Sequence, residues 1–183
     1  LTLARIAFIP VFLVIAYWPP AIGIAEHHGG MMRHLILTAI FVLAAVTDWF
    51  DGYLARTLNQ TSAFGRFLDP VADKLMVAAA LIVLVQWQPT ISMAFAAIVI
   101  ISREITVSAL REWMAELGAR TNVAVSTVGK YKTAFQMIAI SVFLLNWKPL
   151  EIWAYALLYA AVILTLWSMI IYLRAAWPYL KQP

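Results

Sequence analysis

Cysteine is absent from the 183 residues, which excludes disulfides, thiolate-held zinc and haem-thiolate chemistry. Charge is scarce as well: 13 Lys and Arg with 9 Asp and Glu make only 12% of the chain, too little to solvate an ordinary globular surface. There is no G-x-S-x-G elbow, so the usual serine nucleophile is missing along with the thiol. Nor do short segments alternate polar with apolar residues, as a transmembrane barrel requires. What is abundant is apolar surface, at 64% of residues and a mean hydropathy of +0.86. The run Ile152 to Leu173 carries no charge, and about 20 such residues are what a bilayer-spanning helix needs. The chain is read as an all-α integral membrane protein.

Breaks rich in proline, glycine and charge divide the chain into six helical segments, about 1–18, 32–58, 67–87, 90–117, 128–147 and 150–174. The first apolar run, Ile6 to Tyr17, lacks an A-x-A-like cleavage site and is followed by Pro19-Pro20, so it is read as most of a first transmembrane helix rather than a signal peptide. With no repeat, low-complexity tract or long linker, residues 1–183 are expected to form a single transmembrane domain. Tyr17, Trp18, Trp87, Trp147, Trp153 and Trp177 stand at run ends, where amphipathic rings anchor at the headgroup level.

Alternate placement of the loops puts 11 of the 13 basic residues on one side, against Arg33 and Lys148 on the other. The positive-inside rule makes the richer side cytoplasmic, which predicts a six-transmembrane-helix bundle with both termini inside. The net charge of +4 suits anionic lipid headgroups and needs no nucleic acid as partner. His27, His28 and His34 fall on the outer side and read as surface or headgroup residues.

Against this apolar background Asp48, Asp51, Asp69 and Asp73 lie within 26 residues. An Asp at the centre of a membrane helix costs roughly 2.5–3.5 kcal/mol on insertion scales, so such residues are rare and tend to mark functional sites. At about 100° per residue, Asp48, Asp51, Gly52 and Ala55 share one helical stripe, and Gly65, Asp69 and Asp73 share another at four-residue spacing. The two stripes can face each other across the connection from Thr57 to Phe64. Four converging carboxylates repel one another unless positive charge compensates them. Hard divalent cations such as Mg²⁺ take carboxylate and phosphate oxygens, and a pair of them can clamp the attacking and leaving oxygens of a phosphoryl displacement. Gly52, Ala55 and Gly65 are then small so that a bulky substrate can approach. The alternatives are structural: Asp69-Pro70 as a helix N-cap with Pro at the first turn, and Asp48 paired with Arg56 or Lys74.

A basic set complements the acidic one. Arg103, Val107 and Arg111 recur every four residues, so both guanidinium groups can point to one side, and arginine suits bidentate phosphate binding. Lys130 and Lys132 follow Gly129 near the start of the fifth segment, where free N–H groups and the helix dipole favour an anion. With Arg5 they are expected to form a basic pocket beside the metals for an acceptor that carries its own phosphate. The alternative is that all five are cytoplasmic-face charges.

The pattern D48-x2-D51-G52-x2-A55-R56-x8-G65-x3-D69-x3-D73 resembles, at every fixed position, the motif of the CDP-alcohol phosphatidyltransferases. That resemblance implies six transmembrane helices, a homodimer, and a dinuclear Mg²⁺ or Mn²⁺ site on the four aspartates at the cytoplasmic face of the bacterial inner membrane. It also implies Asp73 as general base, with Gly52, Arg56 and Ser62 contacting the CDP-linked lipid and Ala55 and Gly65 lining its pocket. The stretches L1-T-L-A-R-I-A-F-I-P, T47-D-W-F-D-G, I101-S-R-E-I-T-V-S-A-L-R-E-W and G129-K-Y-K-T-A-F-Q-M are similar to those family members that join sn-glycerol 3-phosphate to CDP-diacylglycerol and release CMP. Rival readings are another acceptor (inositol phosphate, serine or phosphatidylglycerol), a cation-coupled transporter using the carboxylates as an ion site, and a non-catalytic scaffold.

Overall fold

The computed structural model describes residues 2–17, 26–58, 63–117 and 127–180. They form six α-helices, α1 (Thr2–Tyr17), α2 (Glu26–Leu58), α3 (Ala63–Trp87), α4 (Ile91–Glu116), α5 (Thr127–Leu145) and α6 (Glu151–Leu180), with one 3₁₀ turn at Lys148–Leu150. No strand occurs among the described residues. Three stretches are long and apolar enough to cross a bilayer by themselves, Gly30–Thr47, Ile91–Glu116 and Lys148–Arg174. Ile6–Tyr17, Lys74–Trp87 and Tyr131–Leu145 are shorter apolar helical stretches. The shortening has a local cause in α3, whose apolar stretch begins only after Asp73.

Each of the six expected segments is a helix, and the boundaries differ where local signals compete. The reading placed a break before residue 32, yet α2 runs through Gly29 and Gly30. A Cβ at Gly30 would meet nothing within 4 Å, so close packing does not demand this glycine. Helix α3 starts at Ala63 rather than near 67, and α6 continues to Leu180. Pro10 lies inside α1 and removes the donor for the carbonyl one turn earlier.

The chain divides into two compact units. The first comprises residues 1–88 and 140–151. In it α1 packs against both α2 and α3, and α2 against α3. Phe12 and Ala16, Leu37, Phe41 and Ala44, and Met76, Ala80, Leu81 and Leu84 supply its buried side chains at three- and four-residue intervals. The second unit comprises residues 89–139 and 152–183. Its α4 opens on Thr90, whose hydroxyl accepts from the Met93 amide at 3.2 Å and satisfies one of the orphan donors of the first turn. Met93, Ala96, Ala97, Ile100 and Val107 of α4 and Ala154, Leu158, Ala161 and Val162 of α6 are buried in two stripes. Ser92 and Tyr159 join α4 to α6 through a 2.7 Å hydroxyl hydrogen bond.

In the first unit α5 stops at Asn146, which takes φ 54, a left-handed conformation that Asn tolerates better than most residues. Its amide donates to the Phe143 carbonyl at 3.1 Å, closing the last turn. The 3₁₀ turn follows, and Lys148 pairs with Glu151 at 3.6 Å.

Candidate functional site

The acidic motif is divided between two consecutive helices that pack on each other. Asp48, Asp51, Gly52, Ala55 and Arg56 stand in the last three turns of α2, and Gly65, Asp69 and Asp73 in the first three turns of α3. Four residues join the two helices, so their facing ends are at most roughly 17 Å apart. Because α3 begins at Ala63, Asp69 is not an N-cap and Pro70 is not at the first helical position, which removes that structural alternative. Ser62, and the side chains of the aspartates, Ala55, Arg56, Arg5 and Lys130, lie outside the described residues. The donor set nevertheless fits a hard divalent cation: two carboxylates on each of two contacting helices, with no cysteine in the chain.

The basic residues whose side chains are described fall into two groups. Arg103 on α4 is 8% exposed and Lys132 on α5 is 5% exposed. Two cations buried this deeply need a counter-charge, and Glu104 supplies it. Its Oε1 accepts from Arg103 Nη1 at 2.7 Å and also from Lys132 Nζ. Arg103 Nη2 donates to the Ser168 hydroxyl on α6, and the guanidinium lies 6.0 Å from the centre of the Tyr172 ring, within cation–π range. Gln136, one turn beyond Lys132, and Thr165, one turn before Ser168, are buried as well. Arg111, by contrast, is exposed two turns further along α4. The expected shared face of Arg103 and Arg111 is therefore realised as one buried and one exposed guanidinium.

Sequence reasoning passed over Glu104, Ser168 and Tyr172. The signal for Glu104 was its place directly after Arg103, and that for the other two was four-residue spacing of hydroxyls inside an otherwise apolar run. His34, read as a surface or headgroup residue, makes specific packing contacts. His34 is half-buried, its Nδ1 lies 2.9 Å from the Leu144 carbonyl and its ring meets Trp87 edge-on at 4.8 Å. Arg33 stacks over the same Trp87 at 5.2 Å. Trp87 is thus a packing platform within the first unit.

The chain belongs to the CDP-alcohol phosphatidyltransferase family, whose model matches residues 1–167. Among curated proteins, a CDP-diacylglycerol--glycerol-3-phosphate 3-phosphatidyltransferase of Haemophilus influenzae is 51% identical over 177 residues, covering 96% of this chain and 90% of the relative. Proteins of the same printed name from Pectobacterium atrosepticum and Pseudomonas fluorescens are 49% and 48% identical, covering 100% and 99% of this chain and 96% and 90% of the relatives.

Proposed function

We propose that this protein transfers the phosphatidyl group of CDP-diacylglycerol to sn-glycerol 3-phosphate, giving phosphatidylglycerophosphate and CMP, a step of anionic phospholipid synthesis. The observation that carries the reading is the complete acidic motif on two helices in contact, in a chain about half identical to relatives that bear this activity in their names.

In this reading all six helices span the bacterial inner membrane as one domain over residues 1–183. The termini and the aspartates face the cytoplasm, and the protein is a homodimer. The positive-inside distribution of charge supports this topology. Asp48, Asp51, Asp69 and Asp73 would hold two Mg²⁺ or Mn²⁺ ions, which supply charge neutralisation at the diphosphate of the lipid nucleotide. Gly52, Arg56 and Ser62 bind CDP-diacylglycerol, with Ala55 and Gly65 leaving room for it. Arg103, Arg111, Lys130, Lys132 and Arg5 bind the phosphate of the acceptor and aim its primary hydroxyl at the lipid-bearing phosphorus. Asp73 takes the hydroxyl proton. The acceptor oxygen then bonds to that phosphorus as the bond to CMP breaks, with no covalent enzyme intermediate.

The test is a panel of acceptors scored by CMP release. Glycerol 3-phosphate is expected to be used in strong preference to inositol phosphate, serine or phosphatidylglycerol, and preference for any of these would overturn the assignment. Ion flux across sealed vesicles without CMP formation would favour the transporter reading instead.

A further inference from the structure

Glu104 has no part in the reaction just described, yet it is the one carboxylate that the described contacts place on both Arg103 and Lys132. We propose that Glu104 is a positioning residue of the acceptor-phosphate site: its carboxylate clamps the Arg103 guanidinium of α4 and the Lys132 ammonium of α5 in the arrangement that receives the phosphate. The proposal rests on the reading of those two cations as phosphate ligands.

The physical case begins with burial. Both cations are more than nine-tenths buried on helices of a membrane protein, where like charges repel strongly and water cannot screen them. A shared anion holds two such cations side by side. One carboxylate oxygen bridging both fixes their spacing before any ligand arrives. Ser168 constrains Arg103 from a third helix by taking Nη2, and Tyr172 lies against the guanidinium. Arginine is thereby held in one orientation, as a bidentate ligand must be to act at low entropic cost. The backbone of Glu104 is tied down too, since its carbonyl accepts from Ser108 at 2.7 Å.

The experiment is steady-state kinetics of the purified full-length protein in mixed micelles, with each substrate varied in turn. Glu104→Gln removes the charge and keeps the shape. It is expected to raise the apparent KM for glycerol 3-phosphate at least tenfold while that for CDP-diacylglycerol changes less than twofold. Glu104→Asp restores the charge on a shorter stem and is expected to bring the increase down to two- to threefold. Lys132→Met is run alongside. If it raises the glycerol 3-phosphate KM and Glu104→Gln does not, or if Glu104→Gln shifts both substrates equally, Glu104 serves the fold alone and the inference is overturned while the acceptor pocket stands. If neither variant moves that KM, the pocket reading itself fails. Should Glu104→Gln not fold, Glu104→Asp decides: an unchanged glycerol 3-phosphate KM overturns the proposal.

Discussion

On α2 and α3 the motif carboxylates stand at fixed spacing with no opposite charge between Asp48 and Asp51 or between Asp69 and Asp73, whereas on α4, α5 and α6 two buried cations share a carboxylate from their own chain. Both regions place charge within an apolar sequence. On the metal-binding reading proposed above, the acidic set takes its counter-charge from solution and can be written as a one-sign pattern with helical period, because the chain needs only to present the groups together. Cations buried in an apolar interior need a counter-ion, or the unpaired charge would oppose folding. The first kind of site is legible along the sequence. The second is assembled from three helices.

This contrast can be challenged in order of expected effect. The severest challenge is removal of divalent ions. Chelator-stripped protein is expected to lose activity to background and to regain it with Mg²⁺ or Mn²⁺ in a CMP-release assay, and full activity without metal would leave the acidic set without its counter-charge. Next, Asp73→Asn is expected to lower turnover by roughly 10²–10⁴-fold, the range a general base contributes, while folding and CDP-diacylglycerol binding persist. Unchanged CMP release from that variant would dismiss Asp73 as the base. A smaller effect is expected at Arg111, which is exposed and outside the clamped cluster. Arg111→Ala or Lys130→Ala should raise the KM for glycerol 3-phosphate by about two- to fivefold, the cost of a partly screened charge, and that for the lipid less. Equal shifts in both would argue that these are only face charges. The smallest effect on activity is expected at His34. His34→Ala loses the contact with the Leu144 carbonyl and the edge contact with Trp87, which together stabilise by about 1–3 kcal/mol. Its thermal unfolding midpoint in detergent should fall while both KM values stay put.

Much of the fold was readable because helical periodicity and hydropathy act locally. All six segments are helices, and the errors sit at their ends: Gly29-Gly30 read as a break, and α3 opens a turn earlier than its apolar run suggests. In each case contacts or backbone continuity outweigh a residue's own preference. The acidic motif was legible as a sequence pattern for the same local reason, and its side chains lie outside the described residues. The basic half was legible only in residue type. Arg103, Lys132 and Arg111 were picked out together, but four-residue spacing could not tell that one guanidinium is buried on Ser168 and the other faces outward.

By itself the amino-acid order determined the membrane class, the division into helices and the placement of four aspartates on two consecutive helices, since each depends on composition or on the 3.6-residue turn acting over a few neighbours. Tertiary structure alone decided the company of the remaining polar groups. Glu104 meets Lys132 across 28 residues, Arg103 meets Ser168 across 65, and His34 meets Leu144 across 110. No local period encodes such separations. They follow from which helix faces close on one another, and buried charge is where that choice matters most, because an unpaired ion in an apolar interior costs more than almost any other local error.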